Sequence, residues 1–204
     1  MLAADTDLPA LFARLAQVDA PADFSLLLTG PPGTGKTEAV QALARRLGRP
    51  LHVKRASDLM SKWVGETEKA IAAAFADAKR QGALLFFDEV DSLLADRGGA
   101  TRGWEVSQVN ELLTWMEDHP LPFAAATNHA AKLDPASARR FVFKVGMRRL
   151  DEGRARRAFA HFFGRDAPAA LDRLDGLTLG DFAVVARQAR FLGTLDDAAL
   201  LDRL

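Results

Sequence analysis

Eight residues, 30–37, carry the pattern with the strongest chemical meaning in this chain. They read GPPGTGKT and fit the phosphate-loop pattern G-x-x-x-x-G-K-T. Glycines let the backbone curl so that successive N–H groups point at phosphate oxygens, and a helix that begins there adds its positive N-terminal end. Lys36 is then expected to reach the β- and γ-phosphates, and Thr37 to hold Mg²⁺. The predicted ATP-binding residues of the loop are Gly30, Pro31, Pro32, Gly33, Thr34, Gly35, Lys36 and Thr37.

A second acidic motif lies at residues 84–91, which read LLFFDEVD. In phosphate-loop enzymes, a strand beside the loop delivers an aspartate to the metal, and Asp88 fits that role. Glu89 lies one residue further, where a carboxylate could polarise a water molecule for in-line attack on the γ-phosphate. Asp91 is open to two interpretations, a helix cap or a support for the site.

Short apolar runs that alternate with helical patterns position these motifs. The runs predict strands at residues 26–28, 51–53, 84–87, 123–126 and 141–145, with helices between them. Such alternation predicts an α/β fold, with a parallel five-stranded sheet that helices flank. After Gly146 the chain shows helical patterns alone. We therefore expect an α/β nucleotide-binding domain at 1–148 and a small all-α domain at 149–204.

Composition excludes several classes of function. The chain of 204 residues has no Cys, which removes disulfides, thiol nucleophiles and Cys-ligated metal centres. Lys and Arg total 27 and Asp and Glu total 27, a balance that disfavours a general electrostatic grip on nucleic acid or on an anionic membrane. No apolar run approaches the ~20 residues that a membrane-spanning helix needs. We expect a cytoplasmic protein that has no membrane partner, and the charge balance disfavours a nucleic-acid partner.

With several later segments, the two motifs resemble the AAA family of ATPases, within the AAA+ superfamily. Ala126-Thr127-Asn128 resembles the sensor 1 motif, and residues 133–141 resemble the second region of homology. Residues 62–66, KWVGE, resemble the first pore loop of the protein-remodelling clade. Residues 104–114 are similar to bacterial AAA proteins in particular, and residues 149–204 resemble the helical lid of an AAA+ module.

The resemblance implies a role for each matching residue. It implies that Asn128 orients the attacking water and that Arg139 or Arg140 acts as an arginine finger on the nucleotide of a neighbouring subunit. It also implies a homo-oligomeric ring, a hexamer, whose pore grips a protein substrate. Lys62, Trp63 and Val64 are the implied substrate-binding residues, and Gly180 and Asp181 the implied adenine contacts.

Two departures from the family pattern leave residues unassigned. Clade members often separate two arginines by Pro-Gly, whereas Arg139 and Arg140 are adjacent, so either one could be the finger. Both follow the fourth strand, which we expect to lie on the far side of the sheet order from the phosphate loop. The N-terminal Ile-Gly-Gly segment of many members is also absent, and residues 5–8 read DTDL in its place.

Together these patterns predict an enzyme, an ATPase with ATP and Mg²⁺ as cofactors. We expect a mechanoenzyme module that couples ATP hydrolysis to the remodelling or threading of a protein through a ring pore. Two alternatives stay open. One is a DNA-linked AAA+ ATPase of the clamp-loader or helicase-loader type, against which the neutral charge counts. The other is an ATP switch that hydrolyses weakly, against which the presence of both Glu89 and Asn128 counts.

Overall fold

The computed structural model describes residues 2–61, 63, 65–94, 103–193 and 195–204. Within them, five strands form one parallel sheet: β1 (Ser25–Thr29), β2 (Leu51–Arg55), β3 (Leu84–Asp88), β4 (Phe123–Thr127) and β5 (Phe143–Gly146). Their order across the sheet is β2-β3-β4-β1-β5. The parallel five-stranded sheet that the sequence predicts is therefore confirmed.

Helices connect the strands and follow the sheet. They are α1 (Leu8–Leu15), α2 (Lys36–Arg46), α3 (Ala56–Leu59), α4 (Glu66–Gln81), α5 (Gly103–Asp118), α6 (Pro135–Arg139), α7 (Glu152–Phe163), α8 (Leu179–Leu192) and α9 (Asp197–Leu201). Short 3₁₀ turns are formed by Val90–Ser92, Ala130–Lys132 and Ala169–Arg173. The last of these turns lies between α7 and α8.

The sequence predicts that the fifth strand begins at residue 141, whereas β5 begins two residues later, at Phe143. Phe141 is buried, but it lies in the connection before β5 and stacks on Phe123, with ring centroids 6.1 Å apart. The Lys144 ammonium donates to the Phe141 carbonyl at 3.0 Å, which closes the turn into the strand. An apolar residue can thus be buried beside a sheet without joining its ladder, and sequence patterns do not separate the two cases.

Alternating side chains of the strands supply two apolar layers, one on each face of the sheet. Leu27, Leu85 and Phe87 belong to one cluster, which residues of α4 and α5 complete. Leu26 and Leu28 belong to the other cluster, which residues of α1 and α2 complete. Both faces are covered, as a parallel sheet requires.

The N-terminal segment pairs with the chain just after β5. Ala4 and Met147 form an antiparallel bridge, and Arg148 N donates to Ala3 O at 2.7 Å. The Asp5 side chain accepts a hydrogen bond from Gly146 N at 3.0 Å. These contacts place the first described residues beside the phosphate loop, because Met147 N donates to Thr29 O at the end of β1.

The helices after β5 have a core of their own. Buried Ala158, Phe159, Phe182 and Val185 form a third apolar cluster, separate from the two on the sheet. One backbone contact joins this part to the phosphate loop directly, since Gly180 N donates to Gly33 O at 2.8 Å. A side chain on Gly180 would collide with this joint, because a Cβ there would lie 2.8 Å from Gly33 Cα.

Candidate nucleotide site

A cleft of about 680 Å³ opens at the carboxyl edge of the sheet. Since β4 lies between β3 and β1, the segments that follow these three strands are neighbours there. This edge is where α/β sheets commonly bind ligands. Residues from the predicted site that line the cleft are Pro32, Gly33, Gly35, Lys36, Thr37, Asp88, Glu89, Asn128 and Gly180.

The phosphate loop holds its lysine in a hydrogen-bonded position. The Lys36 side chain is buried, and its ammonium donates to Gly30 O and Pro31 O, both at 2.8 Å. The Thr34 hydroxyl also donates to Pro31 O at 2.8 Å. Gly30, Pro31 and Thr34 therefore shape the loop from inside, and they do not line the cleft.

Burial and neighbouring carboxylates act on Lys36 in opposite directions. Burial lowers the pKa of Lys36, while the negative charges of Asp88 and Glu38 oppose that shift. A partly desolvated ammonium on a residue that lines the cleft is favourably placed to meet an anion, since the anion would restore the stabilisation lost with solvent. The loop is thus prepared for a phosphate group.

Two oxygen ligands lie side by side where a metal would be held. The Thr37 hydroxyl donates to Asp88 Oδ2 at 3.1 Å, which joins the start of α2 to the end of β3. Mg²⁺ is bound through oxygen atoms, usually one or two from the protein, together with phosphates and waters. Thr37 and Asp88 fit such a cation.

The backbone at Glu89 adopts a conformation that is rare for residues other than glycine. Its φ is +58°, the single positive φ among the described non-glycine residues, and its N–H donates to Asp88 Oδ1 at 3.0 Å. Strain of this kind concentrates at functional sites because it persists only where the surroundings enforce it. It turns Glu89 into the cleft, and no sequence pattern indicated it.

Asp91 links the ends of β3 and β4. Its Oδ1 accepts a hydrogen bond at 2.8 Å from the hydroxyl of Thr127, which is buried. The same hydroxyl accepts from His129 N at 2.9 Å, so the two residues on either side of Asn128 are tied together. Of the two interpretations of Asp91, the structure supports the one in which it braces the site.

Asp181 and the arginine pair lie outside the cleft. Asp181 Oδ2 accepts from Thr178 N at 2.7 Å and from the Thr178 hydroxyl at 2.8 Å, which caps α8. The carboxylate is thus engaged at the start of its own helix, and the adenine contact of Asp181 stays a prediction. Gly180 does line the cleft.

Arg139 and Arg140 lie near the amino ends of the strands, whereas the phosphate loop lies at their carboxyl ends. They come shortly before Val142, whose N–H donates to the Ser25 hydroxyl at the first residue of β1. The expectation from sheet order was wrong, because β1 pairs with both β4 and β5. The arginine pair is instead separated from the phosphate loop along the direction of the strands. Arg140 forms an exposed ion pair with Glu117, at 3.0 Å.

The expected substrate-binding segment is described only in part. Trp63 is 73% exposed, which excludes a position in the core. Its N–H donates to the Ser61 hydroxyl at 3.2 Å. Lys62 and Val64 lie outside the described residues.

Sequence reasoning missed the apolar end of the cleft. Its lining residues come from the N-terminus and from the last turn of α7 and the first turns of α8: Leu2, His161, Phe162, Leu179 and Ala183. Phe162 stacks on buried Phe182, with ring centroids 6.2 Å apart. Helical periodicity places His161 and Phe162 at the end of α7, but it contains no sign that the end faces the loop. Flat apolar surface beside a phosphate loop suits a purine base.

A phosphate loop, two acids and an asparagine at the carboxyl edge of a parallel sheet, with helices following, define a phosphate-loop ATPase module. Residues 26–149 match the family model described as the ATPase family associated with various cellular activities (AAA). The chain belongs to this AAA family and carries its ATPase domain.

Curated relatives of the chain include proteins from archaea and eukaryotes. The chain is similar to protein CdcH of Halobacterium salinarum, 39% identical over 93% of this chain and 27% of that protein. It is also similar to Fidgetin-like protein 1 of Xenopus tropicalis, 32% identical over 87% of this chain and 29% of that protein. Protein SUPPRESSOR OF K(+) TRANSPORT GROWTH DEFECT 1 of Arabidopsis thaliana is 34% identical over 76% of this chain and 37% of its own length.

The chain thus spans about a third of the length of these relatives or less. The particular likeness to bacterial AAA proteins stays a prediction. None of the described helices is both long and apolar enough to cross a bilayer.

Proposed function

We propose that the chain is the ATP-hydrolysing module of a ring-forming machine that remodels or threads protein substrates, located in the cytoplasm. The observation that carries this proposal is the convergence of Lys36, Thr37, Asp88, Glu89 and Asn128 on one cleft. These are the residue types that bind, position and hydrolyse a nucleoside triphosphate. ATP would lie with its phosphates at the loop and its base between Leu2 and the helices α7 and α8.

The chemistry follows from the positions of the side chains. Lys36 exchanges its two carbonyl partners for phosphate oxygens, and Thr37 and Asp88 hold Mg²⁺. When bound, that cation offsets negative charge on the phosphates. Glu89 accepts a proton from a water molecule as the water attacks the γ-phosphorus and the bond to ADP breaks. Asn128 orients that water, and the Asp91–Thr127 hydrogen bond keeps Asn128 near Glu89.

A neighbouring subunit completes this site with Arg139 or Arg140. Both side chains lie at the far edge of the sheet from the phosphate loop of their own chain, which is a poor position for serving it. Arginine suits a finger, because its planar and permanently charged group grips phosphate oxygens in pairs. A finger that acts on a neighbour requires an oligomer that closes, and we propose a hexamer.

Substrate contact and movement are the remaining parts of the proposal. Exposed Trp63 presents a large apolar surface, which suits a grip on an extended polypeptide, and Lys62 and Val64 flank it in sequence. We propose that 1–148 and 149–204 act as two domains, with the second serving as a lid. Their separate apolar cores and the narrow joint at Gly33 and Gly180 support relative movement.

The site is tested by Lys36→Ala. We expect ATP affinity to fall by about 100-fold or more, because the variant loses charged hydrogen bonds to phosphate. Calorimetry measures the affinity, and thermal unfolding checks that the fold is kept. The matched control is Lys69→Ala, which removes an exposed lysine from α4. Equal affinity in the Lys36 variant and the parent would reject the nucleotide assignment.

The ring is tested by mixing two inactive proteins, Lys36→Ala and the double variant Arg139→Ala/Arg140→Ala. We expect the double variant to lose ~10³-fold in turnover and the mixture to regain part of it, since some interfaces pair an intact loop with an intact finger. The two single arginine variants identify the finger. Turnover per chain that is constant with concentration, with no gain on mixing, would reject the ring. Stimulation by DNA and none by unfolded polypeptide would favour the DNA-linked alternative.

A further inference from the structure

A carboxylate that the phosphate chemistry does not use lines the nucleotide cleft. Glu38 is the third residue of α2, and its side chain is exposed to the cleft. Its Oε2 lies 3.9 Å from the position that a Cβ on Gly35 would take. Leu2 Cδ2 and Leu179 Cδ1 approach the same position, at 2.5 and 3.5 Å. The acid thus lies where the phosphate loop meets the apolar end of the cleft.

Residues from the first and last turns of α2 line the cleft, so this helix lies beside a bound nucleotide. Lys36 and Thr37 begin the helix and face the phosphates. Arg45 lines the same cleft seven residues after Glu38, about 10 Å further along the axis. Leu2 and Ala183 line the apolar part, where the base would lie. Glu38 lies at the junction of the two parts, beside the point near Gly35 that Leu2 and Leu179 also approach, and we place the sugar of the nucleotide at this junction.

An acid in this position favours a hydrogen-bond donor on the ligand over an anionic group. Among the described residues, no side chain forms a hydrogen bond or an ion pair with the Glu38 carboxylate. A carboxylate accepts hydrogen bonds only, and its charge repels a triphosphate. The donors that a nucleotide offers between its phosphates and its base are the two ribose hydroxyls.

The structure assigns Glu38 as the residue that binds the ribose hydroxyls and selects ribonucleotides over deoxyribonucleotides. This assignment rests on the proposed function, since it names the sugar of the nucleotide that the same cleft would bind. Acidic side chains on ribose hydroxyls serve the same chemistry in dinucleotide-binding folds. The base amino group is the competing donor, and the comparison of ADP with GDP below distinguishes it from the sugar.

The test measures sugar preference by calorimetry in the presence of Mg²⁺. ADP, 2′-deoxy-ADP and 3′-deoxy-ADP are used as ligands, because none of them is hydrolysed at the γ position during the titration. In the parent we expect ADP to bind about tenfold or more tightly than at least one deoxy analogue, the scale of one hydrogen bond to a charged group. In Glu38→Leu this ratio should fall to about one.

Three further arms separate the sugar contact from other effects. Glu38→Gln removes the charge and keeps an acceptor oxygen, so we expect an intermediate ratio. Gln41→Leu, one turn further on the exposed side of α2, should keep the parent ratio. Thermal unfolding of each variant checks the fold.

The assignment is overturned if Glu38→Leu keeps the parent ratio or if the parent shows no sugar preference. It is also overturned if Glu38→Leu changes the preference between ADP and GDP and leaves the sugar ratio unchanged. All three outcomes leave ADP binding intact, and with it the proposed function. Failure of the proposed function has a different signature, the absence of ADP binding in the parent.

Discussion

The two ends of the nucleotide cleft are built in different ways. At the phosphate end, Lys36, Asp88 and Asn128 follow strands that are hydrogen-bonded neighbours in one sheet. At the base end, Leu2 comes from the N-terminus, and Phe162 comes from helices with a separate core. The first end is therefore a continuous framework, and the second is assembled from distant parts of the chain.

This contrast indicates which part of the cleft can move. Hydrogen bonds from Thr37 to Asp88 and from Thr127 to Asp91 connect three strand ends side by side. The base end is joined to the loop through the short contact between Gly33 and Gly180. We therefore expect loss of the catalytic acid at the phosphate end to act on turnover, and changes at the base end to act on affinity alone.

Of the changes that test this contrast, Glu89→Gln is expected to have the largest effect. The variant keeps the shape of the side chain but removes its basicity, so turnover should fall by ~10²-fold or more while ATP affinity stays at the parent value. Steady-state turnover and calorimetry together check this expectation. Glu152→Gln, an exposed position in the first turn of α7, is the matched control. Unchanged turnover in assembled protein would place the base elsewhere.

A smaller and different effect is expected at the base end from Ala183→Phe. Ala183 is exposed on α8 and lines the cleft, so a larger side chain should occupy space meant for the base without disturbing a core. ATP affinity should fall about tenfold, or roughly 1.4 kcal/mol, because the displaced base loses its packing against the helices. Turnover at saturating ATP should stay unchanged. Gln188→Phe, exposed on the same helix away from the cleft, controls for the added ring. A loss of turnover at saturation would contradict the division of roles.

The smallest effect on turnover is expected from Thr127→Val. Losing the buried hydroxyl leaves Asp91 and the His129 N–H without their partner, which should lower the free energy of unfolding by about 1–3 kcal/mol. Turnover should fall roughly threefold, or about 0.65 kcal/mol of barrier, because Asn128 is less firmly held. Denaturant unfolding and steady-state kinetics measure the two quantities. Thr114→Val, at an exposed site on α5, is the control. If stability falls and turnover does not, the brace serves the fold alone.

Much of the framework could be predicted from sequence because its signals are local. Strand β3 shows as an unbroken apolar run, since it is buried on both faces. The start of α2 shows as the loop pattern itself, since Gly35 with φ +89° directly precedes the helix. Asp88 and Glu89 could be named because a strand end places the next residues at the sheet edge.

The parts that were missed or misjudged depend on distant contacts. The distance of Arg139 from its own loop was expected from strand order, but it arises along the strand axis. The left-handed backbone at Glu89 is enforced by its surroundings, and residue type alone predicts the opposite.

By itself the sequence determined the α/β class, the phosphate loop and the acids, because each depends on a few adjacent residues whose periodicity or backbone geometry is local. The tertiary structure alone decided the strand order and the brace from Asp91 to Thr127. It also decided which side chains meet the base and the sugar. Those outcomes depend on the packing of segments as far apart in sequence as Leu2 and Phe162. Such packing results from many weak contacts acting together, and no local segment of the sequence contains enough of them to predict it.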